Sequence, residues 1–389
     1  MEVSAPVEFL TPLVVPNKLL LGPGPSNFPD RVREALSHPV LGHLHPETLK
    51  IMDDLKEGFK YLFQTTNPLT LCISASGHAG METGLVNLLE KDDVILIAHS
   101  GIWGERAADM SKRIGGDVRL IKKPLGEQLS LLEARKHFEL HKPKVFFITH
   151  GESSTGMLQN LDGFGELCHE YNCIFMVDAV ITLGCVPFYA DKWKIDVAYS
   201  GSQKVLNAPP GITPITFNSR AIDKITSRKT LVQSFNFDMH LLGEYWNCFP
   251  NKKRIYHHTV SPTLLYGLRE SLAMFIEQGG LEASWKKHAM ISQNLYKKLE
   301  ANGLSLFIRN ANERAPSITS VNVPANIDGT KVSSYIMQNY KVEISGGLGP
   351  TVGKIFRIGL MGTNARDEFV DKAINLLIEA IEAVKSQKL

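Results

Sequence analysis

From Leu69 onwards the chain alternates apolar runs of strand length with amphipathic stretches of helix length, and nothing else in the sequence narrows the fold as far. Segments 69–74, 94–98, 118–122, 144–150 and 173–180 read as strands. Segments 80–89, 103–114, 129–141 and 163–171 read as the helices between them. Strands that are apolar on nearly every residue, not on alternate ones, are covered on both faces. Successive strands joined through helices run parallel, because a parallel return needs a crossover connection. The expected architecture is α/β, with ligands bound at the carboxyl ends of the strands.

After Pro262 the texture changes. Residues 263–278 and 281–301 read as long helices, 305–308, 318–323, 341–345 and 355–358 as short strands, and about 366–386 as a final helix. The 389 residues exceed what one hydrophobic core usually organises, so two domains are expected, with the boundary near Gly279-Gly280.

Composition restricts partners more than it identifies them. With 43% hydrophobic residues the chain can build a sizeable core. Acids and bases are mixed, the formal net charge is +2, and no basic block points to nucleic acid or an anionic membrane. No apolar run has the length of a membrane span. The five cysteines are sparse, odd in number and contain no C-x-x-C pair, which argues against a disulfide framework or a metal site. Cys72, Cys173 and Cys185 lie in or beside apolar runs and are expected to be buried free thiols. Residues 1–10 carry two glutamates and no arginine, unlike a signal peptide or a mitochondrial presequence. Gln387-Lys388-Leu389 matches the S-K-L peroxisomal address in its last two positions and departs at the first; an ordinary helix end is the rival reading.

Chemistry concentrates in a few places. Ser200-Gly201-Ser202-Gln203-Lys204 follows the apolar segment 195–199, so Lys204 stands in a polar turn at a strand end, able to reach into a cleft. An arbitrary lysine is a surface residue; its company distinguishes this one. Asp178 ends the apolar run 174–177, either as a turn or helix-capping acid or as a ligand-binding carboxylate at a carboxyl strand end. Paired with Lys204 it has a specific meaning, since a carboxylate beside a pyridinium nitrogen favours the protonated, electron-accepting ring. Ser76-Gly77-His78 opens a helix after the first strand, where unpaired amides make a phosphate site. Trp103 follows a strand and is either a core aromatic or a flat face for a planar cofactor. Arg357 is the one charge within residues 355–360 and needs an anion: a structural partner or a substrate carboxylate matched to its fork. Gly22-Pro23-Gly24-Pro25-Ser26-Asn27 lacks the strand–helix context of a dinucleotide fingerprint, and we place it across the mouth of the site.

Together these pieces resemble the alanine–glyoxylate aminotransferase branch of the class V, fold-type I aminotransferases. The resemblance runs nearly end to end. It is carried by Leu21–Asn27, Gly151-Glu152-Ser153-Ser154-Thr155-Gly156, Val177-Asp178-Ala179-Val180, residues 200–211, Tyr256-His257-His258-Thr259 and Gly346-Gly347-Leu348-Gly349-Pro350. It implies pyridoxal 5′-phosphate as cofactor and a large domain with a mostly parallel seven-stranded sheet. Residues 1–18 would form an arm wrapping a partner subunit, 19–279 the large cofactor-binding domain and 280–389 the smaller C-terminal α/β domain. Lys204 would anchor the cofactor and shuttle the proton; Asp178 would pair the ring nitrogen. Trp103 and Val180 would flank the ring, Ser153 would bond near its hydroxyl, and Ser76, Gly77, His78 and Gln203 would hold the phosphate. Tyr256 and Thr259 match positions that complete a phosphate site across a homodimer. Arg357 matches the residue binding the substrate carboxylate, with Gly24, Gly42, His43 and Ser153 bordering the substrate.

The substrates this resemblance implies are an amino acid and a 2-oxo acid. Relatives divide between alanine–glyoxylate and 3-hydroxykynurenine transamination, the latter carrying Ser-Asn-Phe where this chain has Gly42-His43-Leu44. The segment Gly42–Glu47 is similar to the glyoxylate type, although one such position discriminates by only about 1–3 kcal/mol. The expected function is transfer of the amino group of L-alanine, with L-serine as a companion donor, to glyoxylate. The alternatives are a 3-hydroxykynurenine transaminase and a catalytically silent dimeric binding module. Ile181-Thr182 depart from the Ala-Ser of many relatives beside the ring-binding strand. The expected location is the peroxisome, through an import receptor reading the tail, with the cytosol second.

Overall fold

A computed structural model describes residues 3–386. Its central sheet has seven strands in the order Leu69–Ile73, Thr213–Phe217, Val197–Tyr199, Ile174–Asp178, Val145–Thr149, Val94–His99 and Asp117–Lys122. All pairs are parallel except those made by Thr213–Phe217, which runs against both of its neighbours. Five of the strands are buried at every residue, as two covered faces require. The helices Gly77–Leu88, Ile102–Ile114, Leu131–His141 and Phe164–Glu170 alternate with the strands. The preceding helix Pro46–Phe63 buries Met52, Leu55, Phe59, Leu62 and Phe63, one stripe at helical spacing. Each such side chain contributes about 1.5–3 kcal/mol on burial.

Two hydrophobic cores follow one another along the chain. The first surrounds the seven-stranded sheet. The second joins Gly280–Ala301, Gly329–Tyr340 and Asp367–Ser386 to a three-stranded antiparallel sheet ordered Ile318–Asn322, Ile355–Gly359, Ser345–Gly346. Helices Pro262–Glu277 and Gly280–Ala301 meet at Gly279 and Gly280, both left-handed at φ +98° and +65°. A side chain at Gly280 would also strike the Tyr61 phenol, so the turn needs glycine twice over.

The structure departs from the sequence reading in several places, among them the helix Gly329–Tyr340, which that reading lacks. Thr213–Phe217 is a further strand, absent from the sequence reading; a proline disfavours a central position, yet the Pro214 carbonyl accepts from Ser200 N at 2.9 Å. Segment 305–308 is no strand: one isolated bridge, Leu306 to Val321, attaches it to the small sheet. Segment 341–345 is two short pieces with different partners, Val342–Glu343 beside Leu19–Leu20 and Ser345–Gly346 beside Ile355–Gly359. Residues 19–21, assigned above to the first domain, join the second: Leu19–Leu20 pairs with Val342–Glu343, and Leu21 lies in the second core. All five cysteines are buried and free. No helix among the described residues is long and apolar enough to cross a membrane.

Candidate active site

The carboxyl ends of the sheet strands open on a cleft lined by Ser76, Gly77, His78, Met81, Trp103, Gly151, Ser153, Asp178, Val180, Ile181, Gln203 and Lys204. At ≈ 140 Å³ it is smaller than a ≈ 600 Å³ groove lined by Leu41, Ile51 and Tyr266. In that groove Lys50, Asp54, Arg269 and Glu270 pair with one another. Chemistry, not volume, selects the cleft.

Lys204 follows the strand Val197–Tyr199, and its Nζ donates to Pro23 O at 2.5 Å. Burial, reinforced by the Arg357 charge, pushes the amine down to about 8, against the pull of Asp178 and Glu343. More of the free amine, the form that attacks a carbonyl, is therefore present near neutral pH. Gly24 has φ +103°, and a Cβ there would collide with the Lys204 side chain. The loop at the mouth thus closes on the lysine through a glycine and a carbonyl.

Asp178, the last residue of its strand, is 4% exposed. Its Oδ1 accepts from Val180 N at 2.9 Å and its Oδ2 from the Tyr199 hydroxyl at 2.6 Å. Burial raises the carboxyl to about 6, although both hydrogen bonds and Lys204 favour its ionised form. Ser76 precedes the helix Gly77–Leu88, and its side chain makes no capping bond. Ala79 N and Gly80 N donate to Ser76 O, which leaves the Gly77 and His78 amides at the helix start beyond the reach of any helical carbonyl. Gln203 Oε1 is buried with no hydrogen-bond partner. The His78 ring meets the Trp103 ring edge-on at 5.1 Å, and Trp103 Nε1 donates to Ser153 Oγ at 2.6 Å.

Arg357 is 7% exposed, in the middle of the small sheet. Its Nε donates to Gly346 O at 2.8 Å and its Nη1 to Ser153 O at 3.0 Å. No carboxylate among the described residues lies within ion-pair distance of it, so the structural-partner reading finds no partner. Burial lowers its pKa, while Glu152 and Glu343 act the other way. A buried guanidinium satisfied only by neutral carbonyls keeps its charge available for an anionic ligand.

Gly42, His43, Tyr256 and Thr259 do not line this cleft. Three of them meet one another instead: the His43 and Tyr256 rings are 4.6 Å apart, and the Tyr256 hydroxyl is 3.4 Å from Thr259 Oγ1. Ile181 lines the cleft, whereas the Thr182 hydroxyl turns back to His150 Nδ1 at 3.0 Å. Sequence reasoning passed over Tyr199, Glu152 and Ser26, whose Oγ donates to Lys204 O at 2.8 Å. Tyr199 was legible as a polar end to an apolar strand. The other two carry no local mark.

The class V aminotransferase family model matches residues 20–370. The chain belongs to that family. Class V aminotransferases use pyridoxal 5′-phosphate, and the residues present fit it: a lysine held partly unprotonated, a buried carboxylate in the same cleft, and a helix N-terminus that no side chain caps. The chain is 51% identical over 386 residues to an alanine–glyoxylate aminotransferase of Drosophila melanogaster, covering 99% of this chain and 98% of that one. It is 50% identical over 388 residues to the Rattus norvegicus protein of the same name, covering 100% and 93%. The crystal structure of an alanine–glyoxylate aminotransferase from Nostoc sp. superposes with a TM-score of 0.93 at 42% identity, over 97% of this chain and all of that one. A ureidoglycine–glyoxylate aminotransferase from Bacillus subtilis gives 0.92 at 34%, over 96% and 95%. This class V aminotransferase therefore matches its relatives over nearly its whole length.

Proposed function

We propose that this aminotransferase moves the amino group of L-alanine, with L-serine as a second donor, to glyoxylate, releasing pyruvate and glycine in a ping-pong cycle. The observation that carries the reading is Arg357, a buried cation that has no carboxylate partner among the described residues and stands close enough to Lys204 to depress its amine. The names of the relatives support the acceptor more broadly than the donor, since the Drosophila, rat, Nostoc and Bacillus proteins all have glyoxylate in theirs.

Bound here, pyridoxal 5′-phosphate would supply an aldehyde that takes up the amino group and a ring that draws electrons from the α-carbon. Ser76, Gly77, His78 and Gln203 would hold the phosphate through amides and side-chain donors. Asp178 would keep the ring nitrogen protonated, Trp103 and Val180 would flank the ring, and Ser153 would bond near its hydroxyl. Arg357 would receive the substrate carboxylate beside Gly24, and Gly42 and His43, which lie outside this cleft, would border the substrate only from a second copy of the chain. Lys204 Nζ would take the α-proton from the donor amino acid and, in the acceptor half-reaction, deliver a proton to the α-carbon of the amino acid formed.

The test is a substrate panel on the purified holoenzyme. Alanine with glyoxylate should give the highest kcat/KM, and Lys204→Ala should lose both turnover and the visible absorbance of lysine-bound cofactor. A clear lead for 3-hydroxykynurenine with pyruvate rejects the reading.

We propose in addition a homodimer with shared sites. Its support is the run of exposed apolar side chains in the arm, Phe9, Leu10, Leu13 and Val14 among them, and the half-exposed Tyr256 outside its own cleft. A peroxisomal role in disposing of glyoxylate rests on Gln387-Lys388-Leu389, which lies outside the described residues. A fluorescent-protein fusion that stays cytosolic with this tail rejects it.

A further inference from the structure

The Ile102–Ile114 helix begins at Gly101, which has no side chain with which to cap it. The cap arrives from another part of the chain. Glu152, in the short hairpin Gly151–Glu152/Met157–Leu158, turns Oε2 to Trp103 N at 3.3 Å. Its Oε1 accepts from Ser154 N at 3.0 Å and from Ser154 Oγ at 2.6 Å, and Ser154 Oγ in turn accepts from Ile102 N at 3.2 Å. Carboxylate and hydroxyl thus satisfy the first amides of the helix, as an N-cap side chain otherwise does. Space for this is left by Gly101, since a Cβ there would run into the Glu152 carboxyl. The next residue, Ser153, accepts from the indole of the same tryptophan and gives its carbonyl to Arg357. Three consecutive residues therefore fix Trp103 at its main-chain and ring nitrogens and brace the arginine.

We propose that Glu152 is a positioning residue: by capping the Trp103 helix from the neighbouring hairpin it sets where the indole lies against the cofactor ring. The inference rests on the cofactor reading above. Glu152 is fully buried, and its carboxyl is pushed up to about 7, by burial first, with the bonds from Ser154 and Trp103 opposing and the Asp178 charge adding to the rise. The ionisable groups that face it are Asp178, Tyr199 and Arg357. An ionised carboxylate accepts from amides at a helix N-terminus more strongly than a protonated one, so the hold on Trp103 strengthens as pH rises through neutrality.

The test uses full-length protein loaded with pyridoxal 5′-phosphate and reads the visible circular dichroism of the bound cofactor and its Kd, independently of turnover. In wild type the dichroism should change between pH ~6 and ~8, following Glu152. Glu152→Ala should lose most of the signal and bind the cofactor about tenfold more weakly, as loss of a capping interaction implies. Glu152→Gln, which keeps one acceptor, should restore the signal but not its pH dependence. Should Glu152→Ala fail to fold, the Gln variant and the wild-type profile decide. Wild-type Kd and dichroism in the Ala variant, or an unchanged pH profile in the Gln variant, overturn the inference alone. A wild type that takes up no cofactor overturns the functional reading and this inference with it.

Discussion

At the scale of single residues the site is built by burying ionisable groups where water would ordinarily hold them. Asp178 illustrates the cost and its use. Its carboxyl rises from an ordinary 3.8 to about 6 because it is buried. Between these values the native apoprotein keeps a proton that the unfolded chain has released, so this group's contribution to stability falls as pH rises from about 4 to about 6. Thermal melts of the apoprotein should show wild type losing stability relative to Asp178→Asn across that window. A protonated ring nitrogen nearby reverses the preference, so the loss should shrink in the holoenzyme. In the donor half-reaction Asp178→Asn should retain cofactor yet slow α-proton removal by about 100-fold or more, in line with the loss of a tuned electrostatic group; near-normal single-turnover rates would refute the role. Lys204, Asp178 and Arg357 were legible in the sequence because each is a polar end or a lone charge in an apolar run. Glu152 was not, because the amide that gives it meaning belongs to Trp103, 49 positions away.

Between elements, the joint linking the two cores depends on a histidine. His288 is 1% exposed on the Gly280–Ala301 helix. Its Nδ1 lies 2.7 Å from Ser284 O, and its Nε2 2.9 Å from Gly362 N, so it donates to the first and accepts from the second. The loop it holds continues to Thr363, whose amide donates to Asn207 Oδ1 at 2.6 Å; Asn207 lies three residues after Lys204. Burial lowers the imidazole to about 4. A neutral buried histidine supports the fold above its ordinary 6.5, and this support fades as pH falls from there towards about 4. His288→Ala should therefore destabilise by ~2–4 kcal/mol at pH 7.5, from a cavity and an orphaned amide, and by less at pH 5. Equal losses by denaturant titration at both pH values would contradict this. The periodicity of the sequence showed both helices at this joint, but no pattern distinguishes a histidine that bridges two elements from one that fills a core.

For the whole molecule, assembly decides whether the cleft of one chain is complete. Tyr256 and Thr259 lie outside the cleft, and the arm carries apolar side chains uncovered in its own chain. If two copies share sites, a Lys204→Ala chain and a Tyr256→Ala/Thr259→Ala chain are each defective alone. Unfolded together and refolded as a mixture, they should regain activity above either parent, because one site of each mixed dimer is then intact. A mixture no more active than the sum of its parts rejects sharing. The seven-stranded sheet was legible as a class of architecture from its apolar runs. The place of Thr213–Phe217 within it was not, nor was the recruitment of Leu21 to the second core.

By itself the sequence determined what local pattern can carry: the alternation of buried strands and amphipathic helices, the glycine turn at 279–280, and the few charges that apolar runs cannot hold without purpose. Only the tertiary structure decided strand order, the joining of residues 19–21 to the small sheet, and which acid is forced to keep its proton. Those outcomes depend on groups brought together from distant positions and on the water excluded between them, and neither quantity is written in the order of residues along the chain.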